Sequence, residues 1–537
     1  MHYLHGKVKD WLNSDRPPLI CIRSSCTINT TEEPALFGRP VSAVSKSFRM
    51  GSQTQDLHIL FFPFLAPGHI IPMVDMAKLF SSRGVKATIL TTTANAPLIQ
   101  PTADRANQSG HRHPITTSVI RFPAAAAGLP DGCENVTHIT TQEAKLKFLQ
   151  ALVMLRQPFE QALKRHNPDA VITDFFLPWT VDVTLELGLP CLVFQGTSLF
   201  ALCAHQSIKR HKPLESLPSD AESFVVPGLP HRIEMLRSQQ NGSSEAPWVL
   251  EFYRQVGEAV QKSDGVMVNS FQELEPEYAE HYRNVGGKKA WHVGPVSLCN
   301  KDVLEKSERG DETSIDFSKC MDWLDAKARG SVIYVCFGSI SQFSTAQLRE
   351  IAIGLEAADK SFVWVVREVG GNGAEWLPEG YEERVVGAGK GLIIRGWAPQ
   401  TLILDHPAVG GFLTHCGWNS CLEAVSAGVP MATWPLFAEQ FFNEKLIVEV
   451  LGIGIGVGVK EYAAREHEQK RKVVMAEAIA KTVARLMGGG EEAEGMRRKA
   501  RELGEMAAKA VEIGGSSYVQ MGDLIEELID RRNAEGL

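Results

Sequence analysis

One stretch of the chain decides its fold: residues 397–440 read WAPQTLILDHPAVGGFLTHCGWNSCLEAVSAGVPMATWPLFAEQ. The apolar run at 411–414 predicts a buried strand, and residues 415–420 form the turn after it. A helical pattern follows from about Asn419 to Ala427, and a second buried strand is predicted at 431–434. A strand, a helix and another strand in so few residues indicate a unit of a parallel sheet.

The same alternation extends outward in both directions. Short apolar runs, most of them followed by helical patterns such as 72–83, lie at 57–64, 85–91, 170–174, 191–194, 265–269, 331–337, 362–366 and 392–394. Strands that are apolar throughout belong to parallel sheets covered by helices on both faces. The alternation occurs twice, so we predict an α/β protein with two Rossmann-like, doubly wound parallel-sheet domains that face a cleft.

The domain boundaries follow from changes in composition. We expect a disordered extension at 1–49, an N-terminal domain at 50–295, a charged linker at 296–316 and a C-terminal domain at 317–510. Residues 511–537 are expected to form a helix that packs back on the N-terminal domain. Four prolines interrupt residues 1–49, and Met50 would be a natural start for the folded protein. An organelle transit peptide is the alternative for this extension, although its acidic residues weigh against one.

Composition excludes several classes of function. The formal net charge of −8 gives no electrostatic footprint for nucleic acid. Ten scattered cysteines are too few for a disulfide scaffold, and no apolar run approaches the roughly 20 residues that span a bilayer. The first 20 residues lack the apolar segment of a signal peptide. We therefore expect a cytoplasmic protein with no membrane span and no nucleic-acid partner.

Several site motifs are absent from the chain. There is no Gly-x-Gly-x-x-Gly fingerprint, no phosphate-binding loop of the Gly-x-x-x-x-Gly-Lys type, no Gly-x-Ser-x-Gly elbow and no His-Glu-x-x-His. The missing dinucleotide fingerprint argues against an NAD-dependent oxidoreductase or a nucleotide-sugar epimerase. No Asp-x-Asp pair occurs either, so no metal-dependent diphosphate site of that type is encoded and no metal ligands are predicted.

The turn at 415–420 has the chemistry of an anion site without metal. Backbone N–H groups and the dipole at the start of a helix favour an anion, and Gly417 permits close approach of the backbone. The side chains of His415, Asn419 and Ser420 add hydrogen-bond donors. Glu423 lies one helical turn after Asn419, where a carboxylate can accept two ribose hydroxyls.

Residues 397–440 strongly resemble the signature box of plant UDP-dependent glycosyltransferases, which are inverting enzymes of the two-domain GT-B class. PGH at 67–69, NSFQELEP at 269–276, HVGP at 292–295 and YVCFGS at 334–339 are also similar to that family. The resemblance implies the donor-site residues. Trp397 and Ala398 would contact uracil, Gln400 the ribose, Ser339 the phosphates, and Trp418, Glu439 and Gln440 the sugar. A final Gln in the box is associated with glucose donors.

Besides a donor site, transfer of a sugar to an alcohol requires a base that removes the proton of the acceptor hydroxyl. His69 follows the first predicted strand, at the edge where ligands bind to parallel sheets, and its PGH context matches the catalytic histidine of the family. We expect it in a loop before the helix at Pro72. Asp174 ends the strand at 170–174, and the resemblance pairs it with His69. Asp182 is the competing carboxylate, on the following helix.

The expected function is transfer of a hexose, most readily glucose, from a UDP-sugar to a hydroxyl of a small hydrophobic acceptor, with inversion to a β-glycoside. Flavonoids, other phenolics and triterpenoids are the acceptor classes that the resemblance implies. No cofactor is expected beyond the donor substrate, and the protein is expected to be a monomer. The alternatives are a catalytically decayed sensor of UDP-sugar or aglycone, and the same enzyme with UDP-galactose or UDP-glucuronate.

Overall fold

The computed structural model describes residues 56–110, 112–240, 247–286, 288–367, 376–463 and 471–535. The predicted extension at 1–49 and the proposed start at Met50 lie outside the described residues. Within the described ranges the structure has two parallel sheets, each covered by helices, and a small antiparallel hairpin. The prediction of an α/β protein with two doubly wound, Rossmann-like domains is confirmed.

The N-terminal sheet contains seven parallel strands in the described part of the chain, in the order β3-β2-β1-β4-β5-β8-β9. Strands β6 and β7 form the separate hairpin. The nine strands are β1 His58–Phe62, β2 Lys86–Thr92, β3 Thr116–Ile120, β4 Ala170–Asp174, β5 Cys191–Gln195, β6 Ser223–Val225, β7 Glu234–Leu236, β8 Gly265–Val268 and β9 Ala290–His292. The helices of this half are α1 Pro67–Ser82, α2 Gln100–Gln108, α3 Gln142–Met154, α4 Arg156–His166, α5 Trp179–Glu186, α6 Leu199–His211, α7 Pro247–Lys262 and α8 Pro276–His281.

The C-terminal sheet has six parallel strands among the described residues, in the order β12-β11-β10-β13-β14-β15. Its strands are β10 Val332–Cys336, β11 Ser361–Val366, β12 Gly391–Arg395, β13 Val409–Thr414, β14 Met431–Thr433 and β15 Gly454–Gly456. The remaining helices are α9 Val303–Ser307, α10 Phe317–Asp325, α11 Thr345–Ala357, α12 Gln400–Leu404, α13 Trp418–Ser426, α14 Gln440–Lys445, α15 Ala476–Leu486, α16 Glu491–Val511 and α17 Ser516–Glu535.

Both sheets share one strand order, in which the chain runs outward from a central strand, returns and continues on the other side. The reversal falls between β1 and β4 in the first sheet and between β10 and β13 in the second. Ligands of such sheets bind beyond the carboxyl ends of the strands at this point of reversal. The fold therefore specifies two places where functional residues should gather, one in each domain.

The sequence pattern predicted the central strands and missed several at the sheet edges. β3, β9 and β15 each lie at an edge of a sheet and were not predicted. β3 reads TTSVI and alternates between exposed and buried positions, and β9 and β15 have three residues each. An edge strand has one neighbour and needs no continuous apolar run, so its signal is weak.

Helix α1 begins five residues earlier than the sequence predicted. The prediction placed its start at Pro72, but Pro67 occupies the first turn and Pro72 lies inside the helix. Proline is tolerated in the first turn, whereas an interior proline has no N–H to bond to the carbonyl four residues before it. That carbonyl belongs to Gly68, and it accepts a hydrogen bond from Asn419 Nδ2 at 2.6 Å instead. His69 therefore lies in the first helical turn, not in a loop.

The last helix, α17, packs against the N-terminal sheet. Its Met521, Leu524 and Leu528 are buried in one cluster with core residues such as Ile59. The Arg83 guanidinium lies 3.8 Å from the centre of the Tyr518 ring, and Gln520 Oε1 accepts from the backbone N–H of His292 at 2.8 Å. The chain thus returns from the second domain to the first. No helix in the described ranges is long and apolar enough to cross a bilayer.

Candidate active site

A histidine–aspartate pair lies where the N-terminal sheet reverses. His69 is in the first turn of α1, which follows β1, and Asp174 is the last residue of the neighbouring strand β4. His69 Nδ1 is 2.8 Å from Asp174 Oδ2. The carboxylate is fully buried, and its other oxygen accepts from the backbone N–H of Phe176 at 3.0 Å. Asp174 is therefore held rigidly against one ring nitrogen of His69.

The pair has the electrostatics of a general base. Burial lowers the pKa of His69, but the charge and hydrogen bond of Asp174, with the charge of Glu439, outweigh burial and raise the pKa overall. The hydrogen bond to Asp174 places the Nδ1 proton between the two groups, which leaves the Nε2 lone pair for a substrate proton. Asp182, the competing carboxylate, is instead paired on the surface with Lys262 at 2.8 Å.

Aromatic rings surround the histidine. The ring centroids of Phe64, Phe175 and Phe176 lie 5.2, 5.9 and 5.4 Å from that of His69. Phe176 in turn stacks with Phe252 of α7 at 5.8 Å. These rings form an apolar wall beside His69, which suits a flat, hydrophobic ligand.

The reversal point of the C-terminal sheet holds a second histidine. His415 follows β13, and its ring is enclosed by Gly338, after β10, and Gly417: a Cβ atom would lie 2.6 Å from the ring at residue 338 and 2.4 Å at residue 417. Gly338 also has a φ of +77°, which favours glycine. Burial lowers the pKa of His415 to about 4, so its ring is neutral at neutral pH. Its Nδ1 is buried without a hydrogen-bond partner among the described residues.

Helix α13 begins directly beside this histidine. Gly417 is its N-cap and provides no capping side chain, and α13 has nine residues. The first N–H groups of a helix have no partner within the helix, and its dipole concentrates positive potential there. Ser420 lies in this first turn, and Ser339, next to Gly338, lines the same cavity. The arrangement is that of an anion site built from backbone groups.

Two residues of the signature box bind the other domain in this structure. The sequence predicted Asn419 as a donor to the diphosphate, but its Nδ2 donates to Gly68 O and its Oδ1 lies 3.4 Å from Asn269 Nδ2. Trp418, predicted to contact the sugar, is buried and donates from Nε1 to Asn269 O at 2.7 Å. Both side chains therefore connect the start of α13 to the N-terminal domain.

The predicted ribose-binding residues lie together. Gln400 Nε2 donates to Glu423 Oε2 at 2.7 Å and to Ser420 Oγ at 3.0 Å. Trp397, the predicted uracil platform, lies before α12 and is partly exposed, and its backbone N–H donates to Ser314 Oγ at 2.8 Å. Ala398 follows it and lines the same cavity. The structure brings the predicted nucleotide-contacting residues to one side of the cavity.

The last two predicted sugar contacts, Glu439 and Gln440, lie at the start of α14. Burial raises the pKa of Glu439, against the opposing effects of nearby backbone N–H groups and of His69. Gln440 Oε1 accepts from the backbone N–H groups of Leu436 and Phe437 at 2.8 and 3.1 Å. The side-chain oxygen of Gln440 therefore stabilises the turn before α14, and its side-chain nitrogen remains available to donate a hydrogen bond to a hydroxyl.

Of the fourteen predicted residues, thirteen line one large cavity between the domains, and Asp174 lies behind His69. The volume of this cavity is about 1680 Å³. A pocket for one drug-sized ligand is about 300–1,000 Å³, so this cavity has room for a nucleotide sugar and an acceptor together. Among the described residues, no group of three or more His, Cys, Asp or Glu side chains could hold a metal ion.

Sequence reasoning missed part of the site. Residues of α6 and α7, Leu202 and Tyr253 among them, line the cavity on the N-terminal side, and the sequence pattern did not single out α7. Trp179 lies behind the cavity wall, where its ring packs against those of Phe62 and Phe159. Asp75 and Arg309, which form a buried ion pair, were missed as well, because no local pattern marks a residue whose partners are distant in sequence. For α7, the amphipathic pattern of the helix is the one signal that could have indicated its place in the site.

The fold and the site together define a two-domain sugar-nucleotide transferase of the GT-B class. A family profile described as "UDP-glucoronosyl and UDP-glucosyl transferase" matches residues 314–487. Scopoletin glucosyltransferase of Nicotiana tabacum is 49% identical over 475 residues, which cover 88% of this chain and 98% of that protein. UDP-glucose flavonoid 3-O-glucosyltransferase 7 of Fragaria ananassa is 49% identical over 481 residues, with 89% and 97% covered.

A solved structure agrees with these relatives. Glycyrrhiza uralensis UGT73P12, complexed with glycyrrhetinic acid 3-O-monoglucuronide, superposes with a TM-score of 0.84 at 42% identity, covering 90% of this chain and 98% of that one. The chain belongs to the family of plant UDP-dependent glycosyltransferases. It is a hexosyltransferase that acts on small acceptors.

Proposed function

We propose that this enzyme transfers glucose from UDP-glucose to a hydroxyl of a small hydrophobic acceptor and forms a β-glucoside. The observation that carries the proposal is that the His69–Asp174 pair and the N-terminus of α13 open into the same cavity. One group can remove a proton and the other can receive a departing diphosphate. Both are needed for direct displacement at a sugar carbon.

The donor lies on the C-terminal side in this proposal. Uracil stacks on Trp397 beside the backbone of Ala398. Glu423, together with Gln400, accepts hydrogen bonds from the ribose hydroxyls and orients them. The diphosphate contacts the first N–H groups of α13 together with Ser339, Ser420 and the neutral ring of His415, whose unpartnered nitrogen supports this assignment. Trp418 contributes through its backbone, because its indole N–H is already bound to Asn269.

The reaction is a single displacement. The acceptor O–H proton passes to His69 Nε2 as the oxygen forms its bond to the anomeric carbon. The bond from that carbon to the diphosphate oxygen breaks, and its electron pair leaves with UDP. Asp174 stabilises the imidazolium that forms. Attack from the face opposite the leaving group inverts the configuration, so UDP-α-glucose gives a β-glucoside.

Glucose is the proposed sugar because of Gln440 and because two relatives at 49% identity are glucosyltransferases by name. The relatives' names also support a phenolic acceptor such as a coumarin or flavonoid, and the rings of Phe64, Phe175 and Phe176 suit a planar or triterpenoid body. We further propose a cytoplasmic monomer. The eight described cysteines, all free, support a reducing compartment.

The test is to incubate the purified enzyme, without added metal, with UDP-glucose and a panel of phenolic and triterpenoid acceptors. Mass spectrometry should detect the gain of one hexose, and UDP-galactose and UDP-glucuronate in parallel reactions identify the preferred donor. A preference for either of these sugars would contradict the assignment of glucose. Tight UDP binding without transfer to any acceptor would contradict the enzymatic proposal and favour a sensor.

A further inference from the structure

Arg309, in the linker, joins the two domains through a buried ion triad. Its Nε donates to Asp75 Oδ2 of α1 at 2.7 Å, and its Nη1 donates to Glu423 Oε1 of α13 at 2.6 Å. The side chains of Arg309, Asp75 and Glu423 are 9%, 1% and 5% exposed. Buried charges are costly unless they are paired and hydrogen-bonded, so this guanidinium has a defined place in the folded protein.

The triad fixes the carboxylate that is assigned to the ribose. An ionised carboxylate can accept about four hydrogen bonds, two on each oxygen. Arg309 uses one position on Oε1 of Glu423, and Gln400 uses one on Oε2. About one position on each oxygen remains, which matches the two hydroxyls of a ribose.

The next residue of the linker contacts the predicted uracil platform. Gly310 has a φ of +97°, and a Cβ atom there would lie 2.5 Å from Trp397 Cζ2 and 2.9 Å from Ile71 Cδ1. A larger residue would strain the backbone and collide with the indole. Arg309 and Gly310 therefore bring one short segment of the linker against both the ribose carboxylate and the uracil tryptophan.

We propose that Arg309 is a positioning residue for the donor: it orients Glu423 so that both remaining carboxylate positions face the ribose hydroxyls. The inference rests on the proposed role of Glu423 in ribose binding. Asp75 anchors the opposite side of the guanidinium, and Asn300 Nδ2 donates to its other oxygen at 2.8 Å. Arg309 thus contributes to donor recognition from the linker, through its bond to Glu423.

The experiment measures affinity for UDP and for 2′-deoxy-UDP by titration calorimetry. The ratio of the two affinities reports the hydroxyl contact alone, since base and diphosphate are common to both ligands. We expect the natural enzyme to prefer UDP by about 10-fold, the size of one lost hydrogen bond to a charged group. In Arg309→Met that preference should fall to within about 2-fold, because Glu423 loses its orientation, and Arg309→Lys should restore part of it.

Two control variants separate positioning from general damage. Asp75→Asn removes one buried charge from the same cluster but keeps an oxygen that can accept from Arg309 Nε, so Arg309 stays bonded to Glu423 and the preference for UDP should persist. Arg105→Met removes an exposed ion pair between α2 and linker residue Glu308, and it should change neither affinity. Thermal melting of each variant shows whether it is folded, and Arg309→Lys provides the test if Arg309→Met is not.

Each outcome is decisive. A preference for UDP that is as large as in the natural enzyme in Arg309→Met, or in Arg309→Lys where only that variant folds, overturns the role of Arg309. Equal loss of the preference in Asp75→Asn overturns it too, because the effect would then report the integrity of the cluster. If the natural enzyme binds UDP and 2′-deoxy-UDP equally, the ribose assignment of Glu423 fails and the inference fails with it. None of these measurements requires turnover, so failure of the transfer reaction itself is detected separately by the mass-spectrometric assay.

Discussion

The two sheets have the same strand order but carry different chemistry where that order reverses. In the N-terminal sheet, β1 and β4 end in a histidine, a buried carboxylate and a ring of phenylalanines. In the C-terminal sheet, β10 and β13 are followed by glycines, by a neutral histidine and by a helix without a capping side chain. The comparison teaches that the fold supplies the location and the side chains supply the function. In the proposed function, one location provides a base and an apolar surface, and the other provides an anion site.

The largest expected effect comes from removing the base of the N-terminal location. His69→Ala should lower kcat by about 10³-fold, because general-base catalysis contributes about 10² to 10⁴. UDP affinity, which the C-terminal location determines, should not change. Turnover is measured by chromatography and affinity by calorimetry. His406→Ala is the matched control, because this imidazole is also paired with a carboxylate, Asp325 at 3.1 Å, but lies outside the cavity. A comparable loss in His406→Ala, or lost UDP binding in His69→Ala, would break the comparison.

Removing the charge of Asp174 should have the next largest effect. Asp174→Asn should lower kcat by about 10²-fold, since the imidazolium that forms during transfer loses its stabilising charge. Asp182→Asn removes the competing carboxylate, which is paired with Lys262 on the surface, and should leave kcat unchanged. Steady-state rates of the two variants decide between the carboxylates. A loss confined to Asp182→Asn would reverse the assignment.

The pH profile sharpens the same assignment. His69 acts as a base only when it is neutral, so kcat/KM should rise with pH through the pKa of His69, which lies above its ordinary value of 6.5. Asp174 raises that pKa, whereas burial lowers it. In Asp174→Asn the raising charge is gone, so the acidic limb should move to lower pH. Profiles of kcat/KM between about pH 5 and 9 test this. A limb that stays in place or moves to higher pH contradicts the pairing.

A smaller effect is expected from crowding the anion site. A methyl group in Gly417→Ala would lie 2.4 Å from His415 Nε2, so the ring must move away from the start of α13. We expect the KM for UDP-glucose to rise about 10-fold, which corresponds to about 1.4 kcal/mol of donor binding. The acceptor KM should be unaffected. Gly489→Ala, where no atom lies within 4 Å of the new methyl group, is the control. An unchanged donor KM in Gly417→Ala would remove His415 from the donor site.

The smallest effect concerns a contact between the two domains. Trp418→Phe removes the hydrogen bond to Asn269 O but keeps most of the buried ring. A typical hydrogen bond contributes about 1 kcal/mol, so kcat/KM should fall by about 5-fold. Trp376→Phe changes a buried tryptophan that contacts Trp364 within the C-terminal domain, and it should leave kcat/KM unaltered. Equal losses in both variants would indicate general destabilisation instead of a contact between domains.

The sequence predicted what local pattern controls. Continuous apolar runs marked the central strands such as β1, β4, β10 and β13, and the dense box at 397–440 identified the family. The edge strand β3 was missed because two of its five positions are exposed, and β9 and β15 were missed because three residues are too few to show a pattern. The start of α1 was misplaced because proline is common in the first turn of a helix, and Pro72 was assigned to that position. The hydrogen bond from Asn419 to Gly68 O replaces the helical bond that Pro72 cannot make inside the helix.

Residues whose role depends on distant partners could not be predicted. Arg309 looks like one of many charges in the linker, and its burial follows from Asp75 and Glu423, which lie 234 and 114 residues away. Asn419 has the right chemistry for a phosphate contact, yet its amide bonds across the domain interface. In both cases the tertiary structure decides which of several possible partners a polar side chain binds.

The anomeric configuration of the product tests the central claim most directly. If a base on one wall and a leaving-group site on the other act in one displacement, the product formed from UDP-α-glucose must be a β-glucoside, as read by nuclear magnetic resonance. An α-glucoside would mean retention of configuration. That result requires a different course of reaction and would contradict the assignment of His69 as the base that activates the acceptor.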